Sequence, residues 1–381
     1  MSEPEGRAPR RPAEDTVTAD PLRTRLTELT GVRWPVVQTG MGWVAGPRLV
    51  TAVAEAGGLG ILASATMTLA ELRRAVAEVK DRTGQPFGVN VRADAPDAAE
   101  RIDLIISERV RVASFALAPT EKLIRRLTGE GVVVIPSVGA RRHAEKVAGW
   151  GADAVIVQGG EGGGHTGSVP TSVLLPQVVD AVGIPVIGAG GFADGRGLVA
   201  ALAYGAAGIA MGTRFLLTSD STVPDAVKQV YLASGVADTV VTTQVDGVPH
   251  RVLRTAFVER LEAAAGWRRL ARAARNAGAF RKLSGSSWRS MIREGVAMRG
   301  HGELTWSQLL MAANTPMLLR AAMVDGRSDL GVMSAGQVVG RIEDLPSARE
   351  LIEGVIREAR EVLLRLGAGQ PGAPAPAGGP C

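Results

Sequence analysis

His165 stands in the segment Gln158-Gly159-Gly160-Glu161-Gly162-Gly163-Gly164-His165-Thr166-Gly167, which holds six glycines in ten residues. Glycine loses more conformational freedom on folding than any other residue, so such a run is costly unless something must lie against bare backbone. An imidazole beside that backbone can take or release a proton near neutral pH. The segment therefore reads as the wall of a flat ligand site, with His165 as its acid–base group. The plainer alternative is a histidine that only binds ligand or caps a turn.

A second pattern suits an anion. Gly188-Ala189-Gly190-Gly191-Phe192 and Met211-Gly212-Thr213 each close a short apolar run. Glycine lets backbone approach a ligand closely, and N–H groups at the start of a helix attract phosphate. Either loop alone could be a tight turn; the two together point to a phosphate site. Asn90 breaks the apolar run Gly88-Val89-Asn90, which predicts that its amide faces a ligand. Gln158 is read in the same way. Gln38-Thr39-Gly40-Met41-Gly42-Trp43 brings a thioether and an indole to a third loop, where Met41 is equally readable as core filler. His143 and His301 have no comparable setting and read as surface residues. The role of His250, within Gly247–Arg251, is open.

These loops need a frame. Eight strand-like runs occur at Pro35–Gly40, Leu59–Ser64, Phe87–Arg92, Arg111–Leu117, Val132–Val138, Ala154–Gly159, Pro185–Gly190 and Gly208–Thr213. Their starts are roughly 20–30 residues apart, about one strand-and-helix unit. Between them, Leu69–Lys80 places Leu69, Leu72, Val76 and Val79 at helical spacing. Asp194 is placed to cap a helix through Tyr204, with Gly205 ending it. Eight such units predict an α/β protein, a (β/α)8 TIM barrel, ahead of an open doubly wound sheet. In such a barrel the site lies at the C-terminal ends of the strands, with phosphate bound after the seventh and eighth. The two glycine loops follow those strands.

After Thr213 the pattern changes: Ser221–Ser234 reads as helix, Thr239–Val245 as strand and Glu303–Val324 as a helical pair. The expected organisation is a disordered tail over 1–21, a barrel core over 22–220, a mostly helical C-terminal extension covering the mouth over 221–366, and a disordered Pro/Gly tail over 367–381.

Composition narrows the class. Apolar residues make up 46% of the chain while aromatics make up only 4%, which suits buried parallel strands more than an antiparallel sandwich. The single cysteine, Cys381, excludes an internal disulfide and a cysteine-based zinc site. The polar N-terminus carries no apolar signal core, and no run reaches the ~18 apolar residues of a membrane span. A cytoplasmic protein with no membrane span is the expectation. The net charge is +5, but residues 251–301 hold 12 Lys/Arg against 3 Asp/Glu, a local +9 that leaves the remainder at −4. A basic balance confined to one segment argues against a nucleic-acid partner. The oligomeric state stays open, a homodimer included.

With these residues in place, the chain resembles the nitronate monooxygenase (2-nitropropane dioxygenase) family of FMN barrels. The resemblance rests on Pro35–Met41, Ala56-Gly57-Gly58-Leu59-Gly60, Gly88-Val89-Asn90, the Gln158–Gly167 loop, Ala189-Gly190-Gly191 and Met211-Gly212-Thr213. It implies FMN, with its phosphate on Gly190, Gly191, Gly212 and Thr213. It implies ring contacts from Met41, Asn90, Gln158 and the Gly163 backbone, with Gly42 and Met211 alongside, and it makes His165 the catalytic histidine. Thr39-Gly40 departs from the Ala-Pro usual in the family. Trp288-Arg289-Ser290-Met291 and Glu303–Gln308 through Asn314–Met317 are similar to an actinobacterial branch of flavin-dependent dehydrogenases of steroid-ring degradation. That branch acts on bicyclic CoA thioesters.

The resemblance implies an oxidoreductase acting on a CoA thioester. The basic segment, with Arg268, Arg269, Arg272, Arg275, Arg281 and Arg289, would then meet the phosphates of CoA, or else form a solvated helical face. Oxidation of alkyl nitronates with O2 and enoyl-thioester reduction are the alternatives.

Overall fold

The computed structural model describes residues 20–116, 119–263 and 315–367. Eight parallel strands close into a barrel: β1 Val36–Gln38, β2 Leu59–Ala63, β3 Phe87–Val91, β4 Val112–Phe115, β5 Val133–Val138, β6 Val155–Gln158, β8 Val186–Ala189 and β9 Gly208–Met211. β7, Gly164–His165, stands outside the ring. Closure sets Val37 of β1 opposite Ala210 of β9. All eight expected strands form, each within the run that predicts it. Because successive side chains point to opposite faces, Val37, Leu59, Ile61, Val112, Ile135, Ile156 and Ile187 fill the barrel interior. Val36, Leu62, Val89, Val134, Val157 and Met211 face the outer layer. The helix Arg25–Thr30 adds Leu26 to the interior cluster, beneath Gly208 at the start of β9.

The covering helices follow their sequence signals. In the helix Leu69–Arg82, Thr68 accepts from the Glu71 amide while Glu71 accepts from the Thr68 amide, and Leu72, Val76 and Val79 are buried. The helix Gly195–Ala203 starts where Asp194 Oδ1 accepts from the Gly197 amide. Gly205 then turns the chain at φ 86.

The last helix, Ala348–Gly367, packs against Gly195–Ala203 and Pro47–Glu55, the helices that follow the seventh and first barrel strands. It is therefore the eighth helix of the ring, although the sequence pattern assigns it to an extension. The contact is close: a Cβ on Gly195 would lie 2.5 Å from Val355 O, and Glu358 Oε2 accepts from the Gly195 amide at 2.7 Å. Residues 217–347 are thus an excursion between the eighth strand and its helix. Within it lie the helix Asp225–Leu232, β10 Thr239–Thr242, β11 His250–Leu253, and the helices Ala256–Ala263 and Thr315–Met323. β10 and β11 form an antiparallel hairpin, and β11 also pairs with β7, setting His250 opposite His165. No helix among the described residues is long and apolar enough to cross a membrane.

Candidate active site

Strand pairing builds the acid–base centre. With His250 opposite His165, the two imidazoles meet at a centroid distance of 4.7 Å. Asp246 lies in the turn between β10 and β11, where its Oδ1 accepts from the Val248 amide. Its Oδ2 is 2.6 Å from His165 Nε2 and 3.7 Å from His250 Nδ1. His250 Nε2 is 2.8 Å from Ser334 Oγ. The His165 side chain is 59% exposed, whereas Asp246 is 5% and His250 3% exposed. The centre thus has a wet face at His165 and a dry base at Asp246 and His250.

The electrostatics follow from that burial. Burial opposes the charge on Asp246, but the His165 hydrogen bond and the adjacent His250 ring outweigh it, and the carboxyl sits well below the usual range. Burial likewise pushes the His250 imidazole down, with the Asp246 carboxylate only partly opposing it. Asp246 is therefore an ionised acceptor that fixes His165 through Nε2.

The Gln158–Gly167 loop is pinned from both sides. Arg251 donates through Nε and Nη2 to Gly160 O at 3.2 and 2.9 Å. Glu161 accepts from the Thr171 amide and, at 2.7 Å, from its hydroxyl. Gln158 Nε2 donates to His165 O at 2.8 Å, so its amide holds β7 in place. Several glycines of the loop answer to protein packing rather than to a ligand. A Cβ on Gly162 would lie 2.6 Å from Gln158 Nε2, one on Gly163 would lie 2.6 Å from Gly336 N, and Gly159 abuts Thr171.

The two anion loops differ from that one. Gly190 and Gly191 have φ of 99 and 82, which only glycine adopts without strain. A Cβ on Gly191 would meet nothing closer than 3.7 Å, and one on Gly212 nothing closer than 3.4 Å. A Cβ at 191 or 212 would thus make only ordinary contacts, all but the Thr39 hydroxyl with flexible side chains, and the bare backbone after the seventh and eighth barrel strands fits a phosphate. The Met41 thioether stands 3.6 Å from the Cβ position of Gly212, while Gly42 rests on Thr66. Thr213 Oγ1 accepts from the Gly336 amide at 2.9 Å, and the Met211 side chain is buried in the outer core. Asn90 is buried and donates through Nδ2 to Ser114 Oγ. Its Cβ lies 2.5 Å from where a Cβ on Gly40 would stand, which explains why this chain has glycine at 40.

His143 is exposed, as expected, and His301 lies outside the described residues. Arg268, Arg269, Arg272, Arg275, Arg281 and Arg289 also lie outside them, as do Trp288–Met291 and Glu303–Asn314. Sequence reasoning missed Asp246 and Ser334 and left His250 open. The available signal was an Asp-Gly turn between two strand-like runs, four residues before a histidine.

A closed eight-stranded barrel with a histidine hydrogen-bonded to a buried carboxylate and a glycine cradle beyond its last two strands defines a (β/α)8 enzyme site. The family model for nitronate monooxygenase matches residues 23–103 and 98–358, and the chain belongs to that family of flavin oxidoreductases. It is 67% identical over 341 residues to the (3aS,4S,5R,7aS)-5-hydroxy-7a-methyl-1-oxo-octahydro-1H-indene-4-carboxyl-CoA dehydrogenase of Mycobacterium tuberculosis, covering 89% of this chain and 96% of that one. It is 62% identical over 347 residues to the dehydrogenase of the same name from Rhodococcus jostii, covering 91% and 98%. Among solved structures, FabK of Thermotoga maritima is 36% identical with a TM-score of 0.73, covering 91% of this chain and 99% of that one.

Proposed function

We propose that the chain is an FMN-dependent dehydrogenase of a bicyclic CoA thioester from steroid-ring breakdown. The observation that carries the chemical step is the His165–Asp246 pair, at 2.6 Å on the rim of the mouth. The extent and level of identity to two CoA-thioester dehydrogenases support the substrate class. The single cysteine suits a reducing cytoplasm.

In this reading the backbone of Gly190, Gly191, Gly212 and Thr213 holds the FMN phosphate. Met41, Gly42, Asn90, Gln158 and Gly163 surround the ring, and Met211 contributes backbone only. Bound flavin supplies the acceptor for the hydride that leaves the β carbon. His165 takes the proton from the carbon next to the thioester carbonyl through Nδ1, which leaves a C=C bond. Asp246 keeps the Nε2 proton in place and stabilises the imidazolium that forms. The Arg251 and Glu161 pins fix the loop that carries His165, so the base need not be ordered during the reaction.

The test is anaerobic visible spectroscopy of the flavin-loaded protein, mixed separately with a hydroxylated bicyclic CoA thioester and with a small alkyl nitronate. Bleaching by the thioester is the expected result. Reduction by the nitronate alone would return the chain to nitronate oxidation.

A further inference from the structure

His165, Asp246 and His250 each offer one ligating atom, and these atoms lie within 4.8 Å of one another. We propose that they form a site for a divalent cation of borderline softness, such as zinc or cobalt, whose binding withdraws His165 from proton transfer.

The argument starts at His250. Its Nδ1 is buried without a hydrogen-bond partner, on a side chain only 3% exposed. A neutral imidazole carries one N–H, and Nε2 has a partner for it in Ser334 Oγ at 2.8 Å. In the tautomer with the proton on Nε2, Ser334 Oγ accepts it and Nδ1 is left to ligate. Nδ1 then turns a lone pair toward Asp246 Oδ2 at 3.7 Å. A cation shared with Asp246 Oδ2 would give His250 Nδ1 the partner it lacks. The Ser334 contact also matches the way metal-binding histidines are held through their far nitrogen.

The spacing suits a small ion. Ligands bound tetrahedrally to zinc at ~2.0–2.2 Å lie about 3.3 Å apart. The observed 2.6 and 3.7 Å bracket that value, and with all three atoms within 4.8 Å of one another a rotation of the exposed His165 ring would bring its Nε2 toward the ion. Two imidazoles and a carboxylate favour zinc, cobalt or ferrous iron over calcium and magnesium, which prefer all-oxygen shells. Three protein ligands leave a position open, and the exposed His165 gives the ion a way in.

Binding has a consequence for tautomers. The metal needs the Nε2 lone pair of His165, which moves the ring proton to Nδ1. That is the nitrogen that otherwise accepts from the substrate, so metal and base function exclude each other. This second step rests on the proposed role of His165; metal binding itself does not.

Equilibrium dialysis of the flavin-loaded protein against Zn2+ tests the site without any substrate. The expected result is one zinc per chain, undisturbed by excess Mg2+ or Ca2+. His165→Ala, at an exposed position, and His250→Ala are each expected to weaken binding by more than tenfold, and Ser334→Ala by about 10–100-fold. No zinc uptake, or uptake unchanged in both histidine variants, overturns the site. Zinc is also expected to abolish flavin reduction by the thioester. Zinc bound at these residues with undiminished reduction overturns the switch, and it does so separately from any failure of the substrate assignment.

Discussion

Asp246 and His165 are 81 positions apart in the chain, and their side chains meet at 2.6 Å because β11 pairs with β7. One residue is an exposed imidazole and the other a buried, ionised carboxylate. Asp246→Asn keeps the shape but lets an amide face Nε2, which favours the wrong tautomer. The expected loss in kcat is at least about tenfold, with flavin content and KM little changed. Rapid-mixing flavin reduction measures it, and full activity would show that Asp246 does not orient His165.

His165→Ala removes the proton acceptor from an exposed position, so folding and the flavin spectrum should survive. Flavin reduction by substrate should slow by about 10²–10⁴-fold, the range of a general base. Unchanged turnover would assign proton removal to another group.

Gly212→Asp places a carboxylate in the cradle without a backbone clash, since a Cβ there meets only Thr39 Oγ1 at 3.4 Å and Met41 Sδ at 3.6 Å. The variant should fold and be colourless, because like charges repel the phosphate. A yellow protein with normal flavin content would move the phosphate site elsewhere.

Asp153 gives a pH dependence away from the mouth. Burial raises its carboxyl pKa, although Val134 donates to it from the backbone at 2.8 Å. A carboxyl raised in the folded state contributes most below its unfolded pKa, and that contribution is lost as pH rises through the folded value. Asp153→Asn retains an acceptor for Val134 and carries no charge to bury. Its Tm should exceed that of the parent at pH 7, with the difference shrinking toward pH 4. Thermal melts at the two pH values check this, and equal differences would remove the burial argument.

Gly195→Ala tests the eighth helix. A Cβ at 195 would lie 2.5 Å from Val355 O, and backbone cannot move aside as a flexible side chain can. The expected cost is about 1–3 kcal/mol in urea unfolding. No cost would mean that the two helices can separate without loss.

The barrel was legible in the sequence because each strand falls in a short apolar run, five of the eight with glycine within two residues of their end, and a parallel strand buried on both faces reads as just such a run. His165 was legible because its loop is so rich in glycine, yet the reason for those glycines was not. Gly162 makes room for Gln158 folding back within the loop, and Gly163 for Gly336, a neighbour only in three dimensions. Asp246 and His250 were illegible for the same cause: a hairpin must first pair with β7 before they face His165. The helix Ala348–Gly367 falls in the stretch expected to be a mostly helical extension, and no local pattern says which groove an amphipathic helix will fill.

That groove has a bearing on how the protein is made. All eight strands leave the ribosome well before Leu351, Ile352, Val355 and Ile356, whose side chains are buried in the finished ring. Until they emerge, the nascent barrel carries an uncovered apolar seam between its first and seventh helices. The hairpin that carries Asp246 and His250 is spliced into this wall, between the eighth strand and the helix that covers the seam.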